Sequence, residues 1–222
     1  MKNIVKILFA SFCVTSATSY AQSNVEVGIR FMPQVVALRY DYGVGSSYDF
    51  LKTALPGNFA PHYSRVRTSQ GIGIVYNPVQ KIRLAADLLY SLQGGGYEER
   101  KTNLNYIKVP LLVGYNASPN RKLIFIVQTG IELSYLTSAT IKREDGEVTN
   151  IRNYLNKTTW GVPFAIGFKF RVLDAYFITA QLYLYSDFHT LSKTNKALGV
   201  YNYVYPGLRI SLDRNLFNLK IK

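Results

Sequence analysis

The sequence predicts an all-β fold: an eight-stranded antiparallel transmembrane β-barrel with short periplasmic turns and long extracellular loops. Three observations carry that expectation. The stretch 158–170, T-T-W-G-V-P-F-A-I-G-F-K-F, alternates two kinds of residue. Trp160, Val162, Phe164, Ile166, Phe168 and Phe170 are bulky and apolar, while Thr159, Gly161, Pro163, Ala165, Gly167 and Lys169 are small or polar. Successive strand side chains point to opposite faces, so one face is wholly apolar. It is long enough to meet lipid, since a tilted membrane strand needs about 9–11 residues. The small face suits a narrow barrel interior. Charged residues in the other strand-like runs share one parity, and the links between runs alternate short and long.

Taken in order, residues 1–21 read as a secretory signal peptide. Lys2 and Lys6 start it, residues 7–18 form an apolar run, and Ser19-Tyr20-Ala21 offers a small-x-small cleavage site. The run is too short for a membrane helix. Cys13 follows Phe12, where a lipoprotein signal needs a small residue. Cleavage after Ala21 removes the single cysteine, and with it any disulfide, thiol nucleophile or cysteine metal site. The barrel is expected over 22–212, followed by a periplasmic tail at 213–222.

Eight strands are expected at 25–32, 66–76, 81–92, 104–116, 123–136, 158–170, 175–186 and 200–212. Short links at 77–80, 117–122 and 171–174 carry turn residues or charge. Long links at 33–65, 93–103, 137–157 and 187–199 fall between them. Short turns on one rim and long loops on the other is the outer-membrane pattern, with an even strand number closing the sheet. Residues 34–43 could extend the first strand past Pro33 through a bulge or form a short extra hairpin, and 46–55, with Ser47 as N-cap, could form a short helix. Pro110 and Pro163 sit inside strands, where a missing N–H implies a local bulge.

The facing of charge is the sharpest test. With apolar residues outward, Glu26, Arg30, Arg83, Asp87, Lys108, Glu132, Lys169 and Arg209 all point inward. Random parity would send about half into lipid, where a cation at midplane costs roughly 2–4 kcal/mol. These eight are expected to form a paired, hydrogen-bonded polar plug, with Gln128, Gln181, Tyr183, Tyr203 and Tyr205 beside them. The same parity turns Tyr76, Tyr115 and Tyr176 outward beside the short turns, and Tyr90, Tyr135 and Trp160 outward beside the long loops. Two interfacial aromatic belts are expected of a spanning barrel.

Composition narrows function. Without residues 1–21 the chain has 24 basic and 13 acidic residues, a net charge of +11. In an exported protein that charge points to anionic lipid head groups or acidic surface polymers, not to nucleic acid. The two histidines, His62 and His189, lie in expected outer loops, and two histidines without cysteine do not make a zinc site. Some barrel lipid A deacylases pair a His with a Ser two positions on along a strand. Here Ser192 is three from His189, in a loop. Neither Gly94-Gly95-Gly96 nor Gly71-Ile72-Gly73 opens a helix, so neither is a phosphate cradle. No catalytic residue, metal or cofactor is expected. Charged runs at 98–101 and 142–147 read as solvated faces, and the outer loops are where a partner would bind.

Leu104–Tyr115, L-N-Y-I-K-V-P-L-L-V-G-Y, preceded by Leu88-Leu89-Tyr90-Ser91, resembles the PorT-like outer-membrane β-barrel family of Bacteroidetes bacteria. That family carries L-x-Y-[LI]-x-[IV]-P-L-L after a strand ending L-L-Y-S. Leu104, Tyr106, Ile107, Val109, Pro110, Leu111 and Leu112 fit, and the downstream glycines at 130, 161, 167 and 207 are similar. The resemblance implies an eight-stranded outer-membrane barrel and ties the family's founding member to type IX secretion and export of surface proteases. The expected function is therefore non-enzymatic, structural or interactive, in the cell outer membrane. Its expected surroundings are outer-membrane lipid and lipopolysaccharide, with a secretion machine or surface protein as partner. The alternatives are an outer-leaflet lipid-modifying enzyme, a narrow small-solute channel, and a soluble lipocalin-like barrel with the two faces exchanged.

Overall fold

A computed structural model describes residues 24–41, 64–97, 100–119, 121–143, 145–173, 175–188, 191, 193 and 199–216. The expected signal peptide, the expected helix at 46–55, His62 and His189 lie outside these residues. Eight long strands form the wall: β1 (Asn24–Asp41), β2 (Ser64–Val79), β3 (Ile82–Tyr97), β4 (Arg100–Ala117), β5 (Leu123–Lys142), β7 (Thr158–Leu173), β8 (Tyr176–Asp187) and β9 (Gly199–Asn215), with a short β6 (Val148–Asn150) between β5 and β7. Each long strand pairs antiparallel with its neighbours in sequence, and β1 pairs with β9 to close the ring. Closure leaves no edge along the wall.

The two faces separate as the alternation requires. Phe164, Phe168, Leu182, Ile72, Leu111 and Ile131 are exposed, whereas Arg83 and Lys108 are buried inside. A soluble barrel would have these faces exchanged. Outside the ring, Tyr90, Ile107, Tyr135 and Thr158 fall in one register row across β3, β4, β5 and β7. The six belt aromatics are all exposed, and Trp160 packs against Phe188 at 5.0 Å between ring centroids. The inner face is less polar than the sequence alone implies, because Val75, Ala85 and Leu112 form a buried apolar patch on one side.

Several expected boundaries move. β1 runs on past Pro33 to Asp41 and shifts register against β9 between Gln34 and Val35. The extra residue is Pro206 on β9, since Gln34 pairs with Gly207 and Val35 with Tyr205. Proline has no N–H to offer a ladder, so a bulge suits it. Pro110 and Pro163 behave differently: the expected bulges are not there. The β3–β4 ladder passes from Ala86↔Leu111 to Leu89↔Lys108 in unchanged register, skipping Pro110. The β5–β7 ladder likewise skips from Thr129↔Phe164 to Glu132↔Gly161. A side chain compensates in the second gap, where the Thr129 hydroxyl donates to the Pro163 carbonyl at 3.0 Å.

The expected long link at 93–103 is mostly strand, because β3 and β4 continue to the pair Tyr97↔Arg100. β5 also rises seven residues past Tyr135, roughly 20 Å of strand. There a bulge at Thr137, between Asn105↔Ser138 and Tyr106↔Leu136, reverses its facing, so that Ala139 points inward. Above the top of β7, β6 takes over the free side of β5 through Thr140↔Asn150.

Candidate functional site

The lumen is built as layers of side chains from facing strands. At the short-turn end, Glu26 on β1 accepts from Lys169 on β7 at 2.5 Å and from Asn77 at 3.1 Å. Its other oxygen lies 3.5 Å from Arg83. Asn116 donates to Asn77 at 3.3 Å and to the Gln80 carbonyl at 3.1 Å, closing this end. The Lys169 ammonium also sits 3.9 Å from the centre of the Phe177 ring.

The middle layer is centred on Asp87. One of its oxygens accepts from Arg30 at 2.9 Å and the other from Arg209. Arg30 reaches on to Asp213 at 2.5 Å, and Ser211 donates to the same carboxylate at 2.7 Å. Arg209 donates to Gln181 at 3.1 Å, and Gln181 donates to Gln128 at 2.8 Å. Gly73 leaves the space this layer needs: a Cβ there would lie 2.0 Å from the Asp87 carboxylate and 2.7 Å from the Arg30 guanidinium.

Higher up, Glu132 takes a proton donor on each oxygen, Lys108 at 2.5 Å and the Tyr183 hydroxyl at 2.5 Å. Lys108 lies 4.0 Å from the centre of the Tyr185 ring, whose hydroxyl donates to Asp187. On the β1–β3 side, Gln34 donates to Ser69 at 2.9 Å and to Ser91 at 3.2 Å.

All eight residues expected in the plug are buried in the lumen, and each has an oppositely charged partner there. Sequence reasoning missed two carboxylates. Asp213 was expected in a tail beyond 212, but β9 runs to Asn215 and keeps Asp213 on the same inward parity as Arg209 and Ser211. Asp187 was expected in a loop; it continues the inward row of Gln181, Tyr183 and Tyr185 at the end of β8. Extending the alternation by one or two positions finds both. With them the fully buried charges among the described residues are five acids and five bases: Glu26, Asp87, Glu132, Asp187 and Asp213 against Arg30, Arg83, Lys108, Lys169 and Arg209. The side chains of Tyr203 and Tyr205 lie outside the described residues.

On the β4–β5 side of the outer mouth lies an apolar cluster with loop segments packed over it. Leu104, Tyr106, Leu136, Ala139 and Leu191 are buried together, with Ile151 and Leu155 packed on them. The backbone fixes this lid. The Asn156 amide donates to the Leu191 carbonyl at 2.8 Å, and the Lys193 amide donates to the Tyr154 carbonyl at 3.1 Å. Beside the lid, Arg65 and Arg67 on β2 share the Asn103 side-chain carbonyl, Arg65 at 3.0 Å. Among the described residues no group of His, Cys, Asp and Glu is arranged to hold a metal.

A closed ring of amphipathic strands, apolar and aromatic outside and ionic within, defines an outer-membrane β-barrel. Residues 56–191 match the family described as outer membrane protein beta-barrel domain, and the chain belongs to that family. No curated protein matches the chain. Among solved structures it is similar to Neisserial surface protein A, at 11% identity over 84% of this chain and 96% of that one, TM-score 0.48. It is also similar to OprG of Pseudomonas aeruginosa, at 12% identity over 89% and 97%, TM-score 0.46. The N-terminal barrel domain of OprF from the same bacterium matches at 15% identity over 86% and 99%, TM-score 0.40.

Proposed function

We propose that this protein is a non-enzymatic outer-membrane barrel acting through its ends as a structural or interaction protein, accessory to a type IX-like secretion system. The observation that carries the reading is the filled bore. Three layers of paired charge from Glu26 to Glu132, with an apolar cluster beyond them on the β4–β5 side, occupy the interior. Eight strands give an interior just wide enough for side chains to fill, so little is left for a solute path. Work is then left to the rims. The secretion partner rests on the PorT-like residues of β3 and β4, and export rests on cleavage after Ala21.

Deleting the gene tests this reading against its rivals. Less protease cargo at the cell surface, with unaltered lipid A by mass spectrometry, is expected. A changed lipid A spectrum would instead support the lipid-modifying enzyme. The purified protein in planar bilayers should give no steady conductance; a stable open level would support the channel.

A further inference from the structure

The inward-facing arginines of this barrel fall into two groups. Arg30, Arg83 and Arg209 each face a carboxylate in the lumen. Arg65 and Arg67 do not, among the described residues. They stand two apart on β2, on the parity of the buried Ser69 and Asn77, and therefore on the lumen side of the wall. Arg67 lies three residues beyond Gln70, which pairs with the belt residue Tyr90, so both arginines sit above the outer interface.

Their hydrogen bonding is incomplete. A guanidinium has five N–H donors and a side-chain carbonyl two lone pairs. Asn103 uses both lone pairs, one for each arginine, at no gain in charge compensation. The Nε of Arg67 is buried and has no acceptor. Arg65 adds its own repulsion to Arg67, whose desolvation already disfavours the cation. Two close cations, held by a neutral acceptor and with a donor unused, form a site that an oxyanion completes. Planar guanidinium forks match tetrahedral phosphate or sulfate through paired N–H···O bonds.

We propose that Arg65, Arg67 and Asn103 form a binding site at the outer mouth for a phosphate or sulfate ester. Because the arginines face inward above the belt, the ester reaches them from the outside water, as on a soluble surface glycan. A lipid phosphate in the surrounding leaflet would lie on the other side of the wall.

The test is a titration of the full chain in nanodiscs of zwitterionic lipid, reading the arginine Nε–H signals by nuclear magnetic resonance. Inorganic phosphate and dextran sulfate are the two soluble probes. A saturable shift of the Arg67 signal is expected with both, and R65Q should weaken binding about tenfold, as loss of one charge-assisted fork implies. R67Q should abolish it, read on the Arg65 signal. Heat-modifiable gel mobility confirms that each variant is folded, and R121Q, in a short link at the opposite end of the barrel, should bind like the parent. Shifts that stay linear to high concentration, or a saturable shift of the Asn103 side-chain amide that survives R65Q/R67Q together, overturn the proposal. So does binding that appears only in E98Q/E99Q, which would mean that the chain's own carboxylates already fill the site. A final arm adds lipopolysaccharide to the nanodiscs without soluble anion. No shift is expected; saturation in that arm alone would overturn the assignment to a soluble ester.

Discussion

The middle of the lumen and its outer mouth both hold arginines, and they treat them in opposite ways. Around Asp87, Arg30 and Arg209 each have a carboxylate partner, and Arg209 also donates to Gln181. At the mouth, Arg65 and Arg67 share one neutral oxygen. A charge deep in the barrel has no water to return to, so its partner must be built into the chain. A charge at the rim can wait for a partner from outside. The contrast separates a part of the molecule that holds the barrel together from a part that is free to meet something else.

The deep layer should break most severely. Asp87→Ala takes from Arg209 its carboxylate partner and from Arg30 one of two, and removing one partner of a buried ion pair typically costs about 3–5 kcal/mol. The measurement is urea unfolding in lipid vesicles, followed by the fluorescence of Trp160, the one tryptophan of the chain. A loss below about 1 kcal/mol would mean that the layer is not sealed from water. The outer face gives the next effect. Ile131 lies midway between Val127, which pairs with the belt residue Tyr115, and Tyr135 of the opposite belt. Ile131→Arg should cost about 2–4 kcal/mol in the same assay, whereas Val148→Arg, above the belt on β6, should cost close to nothing. Equal costs would contradict the placement of the membrane.

The apolar lid comes third. Leu136 is fully buried against Leu104, Tyr106 and Leu191. Leu136→Ala should cost about 2–3 kcal/mol through lost burial and the cavity left behind. It should also speed hydrogen exchange at Asn156 and Lys193, whose amides tie the two capping segments together. Unchanged exchange would show that the cap is held by its backbone bonds rather than by the cluster.

How much of this was legible in the sequence follows the range of the forces involved. Alternation is local, so it placed Glu26, Lys108 and Glu132 on the inner face and Tyr90 and Tyr135 on the outer one before any pairing was known. The strand ends were less legible. The alternation through Leu212 does not by itself say where β9 stops; what carries it on is pairing with β1, through Gly28↔Asp213, together with the Arg30–Asp213 bond. The lid was illegible for a related reason. Leu191 and Ile151 look like ordinary loop residues, and the bulge at Thr137, which turns Ala139 inward, leaves no mark in the pattern of β5 alone. Pro163 also misled, because Thr129 on the neighbouring strand fills a gap where a bulge was expected.

The smallest expected effect sharpens the opening contrast from the other side. Arg143 and Glu147 form an ion pair at 2.7 Å, shorter than Arg30–Asp87 in the lumen, but both side chains are about half exposed. Water and salt screen such a pair, and ordering two long side chains costs entropy that offsets the attraction. Arg143→Gln should therefore change stability by no more than about 0.5 kcal/mol, and less still as salt is raised. Distance alone would rank this pair with Arg30–Asp87 at 2.9 Å. If R143Q cost as much as Asp87→Ala, the difference between rim and lumen would not be one of burial. The reason that Arg65 and Arg67 face no carboxylate among the described residues would then have to be sought elsewhere.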